Sequence, residues 1–488
     1  MARRLRIRRF PFWLALAGIT AAIVLYVFGL PHLQARLYPL VSPADLILPR
    51  SIDMLVVFWC FWVGSSVGSF LNVVAWRMPR GESINGRSHC PRCLAQLRAR
   101  DNLPVFGWLA LGGRCYQCRL PISIRYPVVE GVVGLTITAV CVAEIYQLSL
   151  PGQFVHVHSG PLRAPIVDLG ILLTLVYHCV ALATAWACGL ILLDGYRLPK
   201  RLVAFVLVSL ILPVLLLPEL AVVPWQTQPE VGWRTSNPFL DTIFRVLTSV
   251  VAATILGRYL ARTFCPDADP KLDPLGRSTQ RLMDLIVILV IPAIVVGWQS
   301  VIAVTVVASV IAVVLQGCLR VPRETLGRFA ISIPIALAIQ LTFWRHLHAP
   351  HPTGLGLLGQ DLGDSILTGT RYWPSDGSSP SVLLFWAALV FLIPLWLRDR
   401  ESNIDAVPED AVPEYFGTED TEDEEQVIDQ ELDQEMTSNR TMDSRDSGLS
   451  AKEDHGRSDT DDQSEPDGDS EGESTDIFRD SDERGHDR

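Results

Sequence analysis

Charged side chains are scarce in this chain. Asp, Glu, Lys and Arg make up 19% of its 488 residues against 49% hydrophobic residues, and the mean hydropathy is +0.29. The shortage is uneven, because from about residue 400 onward apolar runs and aromatics are almost absent. Residues 401–488 hold 32 acids and 7 bases, a net −25, which leaves +14 on the first 400 residues out of an overall −11. A tail of that composition cannot bury enough apolar surface to offset its chain entropy, so it is expected to be disordered and acidic. No internal repeat, Rossmann-type glycine pattern, P-loop or HExxH motif occurs. Nucleotide chemistry and zinc hydrolysis therefore lose their usual sequence support, and no nucleic-acid partner is expected.

The first 400 residues supply what the tail lacks. About ten apolar stretches, near 11–30, 54–75, 127–146, 167–193, 202–223, 241–261, 284–298, 300–317, 328–344 and 381–398, approach the roughly 20 residues a bilayer core requires. The first follows Met-Ala-Arg-Arg-Leu-Arg-Ile-Arg-Arg and lacks a small-residue cleavage site, so it reads as a retained anchor with its N-terminus inside. Alternating from there puts 76–126 inside, with Arg77, Arg80, Arg87, Arg92, Arg98, Arg100, Arg114, Arg119 and Arg125 against only Glu82 and Asp101. The acidic tail falls inside too. This predicts an all-α, polytopic transmembrane helix bundle in contact with the lipid bilayer. Scarce mid-membrane charge argues against a transporter. At Pro292 and the Gly297-Trp298-Gln299-Ser300 turn, the 284–298 and 300–317 stretches read either as two short spans or as one broken span.

Ten cysteines are present. Cys90-Pro-Arg-Cys93 and Cys115-Tyr-Gln-Cys118 lie in the arginine-rich 76–126 loop, at a spacing that suits a structural four-cysteine Zn²⁺ knuckle in a reducing compartment. Cys60, Cys141, Cys179, Cys188, Cys265 and Cys318 lie mostly in or beside apolar runs and read as small hydrophobes. His178, inside an apolar run, reads as half of an interhelical hydrogen bond. Glu144 and Asp168 read as markers of the outer interface, and Glu130 as a substrate or domain contact near the inner face.

The flanks of the knuckles carry a family resemblance. Gly68-Ser69-Phe70-Leu71-Asn72, Arg77-Met78-Pro79-Arg80-Gly81-Glu82, both CxxC pairs, Asp101-Asn102-Leu103-Pro104, Gly107-Trp108-Leu109 and Arg125-Tyr126-Pro127-Val128-Val129-Glu130 together resemble the N-terminal domain of prepilin peptidases over residues 64–131. The resemblance implies an aspartic endopeptidase of the bacterial inner membrane that clips type IV prepilins or pseudopilins. In many members it also N-methylates the product from S-adenosylmethionine. Such chemistry uses one ionised and one protonated carboxylate. Asp194, opening Asp194-Gly195-Tyr196-Arg197-Leu198-Pro199, and Asp284 resemble the family's two catalytic aspartates. Both segments depart from the pattern. The family's first acid stands seven residues before the proline, where this chain has Leu192, and its Gly-x-Gly-Asp reads Arg281-Leu282-Met283-Asp284. A scaffold whose protease site has decayed is the rival expectation. The domain organisation expected is an anchor and outer loop over 1–53, a peptidase N-terminal-like domain over 54–146, an aspartic peptidase-like membrane domain over 167–344, an outer loop with the last span over 345–398, and the tail over 399–488.

Overall fold

The computed structural model describes residues 17–37, 40–90, 92–149, 165, 167–223, 225, 237–264, 277–318, 325–348, 372–375 and 378–397. The basic N-terminal residues, most of the 345–380 loop and the acidic tail lie outside the described residues. Ten long helices correspond one to one with the apolar stretches: α1 (Ala17–Leu37), α2 (Pro43–Arg77), α3 (Arg125–Ile145), α4 (Leu169–Leu193), α5 (Lys200–Leu216), α6 (Pro238–Phe264), α7 (Arg277–Val296), α8 (Val301–Cys318), α9 (Thr325–Thr342) and α10 (Pro380–Leu397). Among the described residues there is no strand, only two isolated bridges. Among the described residues, seven helices are long and apolar enough to cross a membrane; α5, α7 and α8 fall outside that set. The protein is an all-α, polytopic helix bundle.

Helix boundaries follow local chemistry. α2 starts well before its apolar run because Ser42 and Asp45 form a capping box, with Ser42 N donating to Asp45 Oδ2 at 3.1 Å and Pro43 in the first turn. Its 35 residues span about 52 Å, more than a bilayer core. α4 is capped by Asp168, whose Oδ1 accepts the Ile171 N–H at 2.7 Å, so this acid has a capping role. α5 stops at Leu216, short of its apolar stretch, with Pro213 inside it and a 3₁₀ turn from Pro218 just beyond. α7 and α8 are separate helices joined by a turn in which Gly297 takes φ +87°.

Two close helix crossings assemble the bundle. α2 and α3 pack through Gly64 and Gly68, where a Cβ on Gly68 would come within 2.9 Å of the Glu130 Cα. α4 and α9 pack through Gly189 and Gly327, where a Cβ on Gly327 would lie 2.7 Å from the Leu192 carbonyl oxygen. α3 and α4 run antiparallel, registered by Trp186 Nε1 donating to Thr136 Oγ1 at 3.1 Å and by His178 Nδ1 donating to Glu144 Oε1 at 2.6 Å. The expected interhelical bond of His178 is thus formed. Glu144, expected merely to mark the interface, is instead fully buried as its partner, because the α3 face that carries it turns toward α4.

Candidate active and metal sites

The loop between α2 and α3 folds around its cysteines. In the first knuckle Leu94 N donates to Cys90 O and Cys90 N to Ala95 O, both at 2.9 Å; in the second, Arg119 N donates to Cys115 O at 3.1 Å and Cys115 N to Leu120 O at 2.9 Å. Leu94 and Arg119, each next after the second cysteine of its pair, take left-handed φ of 53° and 61°. The two knuckles therefore repeat one backbone design. It aims all four Sγ atoms at a common point, with every pair within 4.8 Å and Cys90–Cys118 and Cys93–Cys115 each at 3.9 Å. Zinc–sulfur bonds of about 2.3 Å in a tetrahedron put sulfurs about 3.8 Å apart, so the cluster fits a metal ion as it stands. Backbone N–H groups of Cys118 and Gln117 point at the Cys115 sulfur and pull its thiol down to about 7.

Glu130 ties this loop to the helices. Its Oε2 accepts the Val105 N–H at 2.7 Å, at a residue with φ +60°. Beside it lies a cavity of about 170 Å³ whose lining includes Asn72, Trp76, Asp101, Trp108, Tyr126 and Glu130.

The chain leaves α4 through a Schellman turn. Tyr196 N donates to Ile191 O at 3.2 Å and Gly195 N to Leu192 O at 3.1 Å, with Gly195 at φ +77° and Asp194 as the C-cap. An acid at the negative end of a helix dipole is unfavourable alone. Arg125, itself ill-placed in the first turn of α3, meets it with two parallel bonds, Nη1 to Oδ1 at 2.6 Å and Nη2 to Oδ2 at 2.7 Å. Arg80 adds a bond to the Tyr196 hydroxyl at 2.7 Å and lies over the rings of Trp76 and Tyr196.

The same five-residue turn reaches Asp284 from its other side. Arg197 Nε lies 3.9 Å from Asp284 Oδ2, the Leu198 N–H donates to the Asp284 carboxylate, and Arg197 also bonds Gln280. Asp284 is 5% exposed. The structure thus brings Asp194, Asp284 and the base of the cysteine loop to one end of the bundle, with Arg125 and Arg197 among them. Leu192 is buried in the last turn of α4, at the crossing with α9. Sequence reading missed Arg125, Arg80 and Arg197 as partners of this turn. Their only signal was membership of the arginine-rich segments, where each counts as one more inward-facing base.

Residues 62–144 match a family model described as the bacterial peptidase A24 N-terminal domain. The chain is 48% identical over 89 residues to a prepilin leader peptidase/N-methyltransferase of Myxococcus xanthus, covering 18% of this chain and 27% of that protein. It is 44% identical over 91 residues to an Escherichia coli protein named type 4 prepilin-like proteins leader peptide-processing enzyme, covering 15% and 34%. With a Neisseria gonorrhoeae prepilin leader peptidase/N-methyltransferase it shares 35% identity over 119 residues, covering 19% and 40%. The chain spans roughly a third of the length of these relatives, and the family model ends well before Asp194. No solved structure matches it.

Proposed function

The chain belongs, through its 62–144 segment, to the prepilin peptidase family, and on that premise we propose that it is an integral-membrane aspartic endopeptidase. It cleaves the leader of type IV prepilin or pseudopilin-like proteins at the cytoplasmic face of a bacterial inner membrane. The observation that carries this reading is the Asp194–Leu198 turn, which is fastened to the family segment through Arg125 and Arg80 and touches Asp284 through Arg197 and Leu198. Asp194 and Asp284 are the catalytic pair, one carboxylate activating water and the other carrying the proton that polarises the scissile carbonyl. The substrate's basic leader stays on the arginine-rich side while its apolar stem lies in the bilayer, which brings the scissile bond to the turn.

Cys90, Cys93, Cys115 and Cys118 hold a structural Zn²⁺ ion, which supplies folding energy to a loop too small to build its own core. Methyl transfer to the new N-terminus, with S-adenosylmethionine as donor, is assigned to the cavity beside Glu130. The support is that this cavity lies within the segment shared with relatives named as N-methyltransferases.

One observation favours a second reading, a membrane scaffold without protease activity. Leu192 occupies the family's first acidic position, and Arg125 engages both oxygens of the nearby Asp194. Cleavage of a co-expressed prepilin library separates the two. Wild type should process a prepilin, and Asp194→Asn and Asp284→Asn should each abolish processing at matched abundance and zinc content. Failure of abundant, zinc-loaded wild type to process any prepilin of its own cell would leave the scaffold.

A further inference from the structure

Three of the cysteines that read as small hydrophobes converge between helices. Cys141 of α3 and Cys179 of α4 stand with their sulfurs 3.8 Å apart, and the Cys60 thiol of α2 hydrogen-bonds with Cys141 from the other side. All three are free; Cys60 and Cys141 are buried and Cys179 is half-buried. Chance proximity of two thiols on mobile elements would mean little, but this seam is held in register on both sides. Trp186 bonds Thr136 toward one end, the buried Glu144–His178 pair lies next to the thiols, and the Arg125–Asp194 ion pair closes the far end of the same two helices. The sulfurs are at van der Waals contact, the separation from which two thiols close to a disulfide bond of about 2.05 Å.

We propose that Cys141 and Cys179 are a reversible disulfide site that staples α3, whose residues up to 144 match the family model, to α4, which ends at Asp194. The co-reactant is a small membrane-permeant disulfide. Cys179, the more exposed thiol, attacks one of its sulfurs and forms a mixed disulfide, releasing one small thiol that carries off the Cys179 proton. Cys141 then attacks the Cys179 sulfur and expels the second small thiol with the Cys141 proton. Two protein thiols are oxidised, one small disulfide is reduced to two thiols, and one sulfur–sulfur bond forms for the one consumed. The staple is distinct from the four knuckle cysteines, whose sulfurs form the separate cluster in the loop.

The test uses the full-length protein in membranes, with a site-specific protease sequence inserted between residues 150 and 164, between the two helices. After treatment with dithiodipyridine and nicking, the two fragments of wild type should remain joined on a non-reducing gel and separate on addition of dithiothreitol. Mass spectrometry should find the Cys141–Cys179 linked peptide. Joining should be lost completely in Cys141→Ser and in Cys179→Ser, and kept in Cys60→Ser and in the Cys90→Ser/Cys115→Ser double variant. Should Cys141→Ser or Cys179→Ser fail to accumulate, the linked peptide in wild type decides alone. Wild-type fragments that separate with Cys141 and Cys179 each reduced or carrying its own pyridyl adduct would overturn the proposal. So would a Cys60–Cys141 link in place of the Cys141–Cys179 one.

Discussion

Arg125 and Asp194 hold each other by two parallel bonds of 2.6 and 2.7 Å across 69 residues of sequence, joining the start of α3 to the end of α4. Each charge sits at the wrong end of its own helix dipole, Arg125 at an N-terminus and Asp194 at a C-terminus, so each offsets the other's penalty. The pair is half-enclosed, with side chains 30% and 15% exposed, which ranks it between a surface ion pair and a buried one. Arg125→Met or Asp194→Leu alone should therefore destabilise the detergent-solubilised protein by about 1–3 kcal/mol, while the double variant recovers part of the loss. Thermal unfolding of the four proteins measures the coupling; additive losses would mean that the bonds contribute nothing as a pair.

The metal prediction rests on the knuckles. Purified protein should carry close to one zinc ion per chain, lost in the Cys90→Ser/Cys115→Ser double variant, as measured by elemental analysis. Chelation should raise protease sensitivity across 76–126 and leave the helices protected. Binding requires thiolates, so zinc should be released as pH falls. In the metal-free loop the backbone N–H of Cys118 lowers the Cys115 thiol to about 7 while the Cys118 thiol is raised to about 11, so the pair's shifts offset each other and the pH dependence comes from the metal.

A third expectation concerns Gly327. A side chain there would collide with the backbone of Leu192 and Leu193, at 2.7 Å from each, and neither can yield without unseating the end of α4. Gly327→Leu should cost about 1–3 kcal/mol of stability and displace the turn that carries Asp194. Gly131, whose Cβ would meet open space, is the matched control. Equal unfolding temperatures for Gly327→Leu and Gly131→Leu would contradict the close crossing.

Much of this architecture was legible in the sequence, and the illegible parts have a common cause. Apolar run length revealed the helices and CxxC spacing revealed the sulfur cluster, because each is a local property of the chain. Arg125, Arg80 and Arg197 read only as bases of one face, since their partners depend on how helices far apart in sequence are packed. Glu144 was misread for the same reason. Hydropathy ranks a residue by depth along the membrane normal, whereas its burial against His178 is set by which side of α3 turns toward α4. Cys141 and Cys179 read as small hydrophobes because their contact exists only in the folded seam.

Sidedness can be checked with probes at two exposed positions. Gly86 lies in the cysteine loop, and Val167 lies just before α4, at the opposite end of that helix from Asp194. The arginine bias of 76–126 assigns the loop to the cytoplasm. A membrane-impermeant thiol reagent applied to intact spheroplasts should modify Val167→Cys and spare Gly86→Cys until the cells are lysed. Modification of Gly86→Cys before lysis would turn the bundle over and remove Asp194 and Asp284 from the cytoplasmic face.

The sharpest functional prediction turns on the two-residue offset between Leu192 and Asp194. On a helix those positions are about 200° apart, so one cannot stand in for the other by a small shift. Leu192 is buried where α4 crosses α9, and Asp194 caps the helix facing Arg125. If the peptidase works through Asp194, then Asp194→Asn abolishes prepilin cleavage and adding Leu192→Asp does not restore it. The double variant should also accumulate less, because an unpaired carboxyl at a site 5% exposed costs about 1–3 kcal/mol. Gel mobility of a co-expressed prepilin at matched enzyme abundance measures both effects. Cleavage restored by Leu192→Asp would show that the family's register survives in α4, and it would reduce Asp194 to a helix cap and the partner of Arg125.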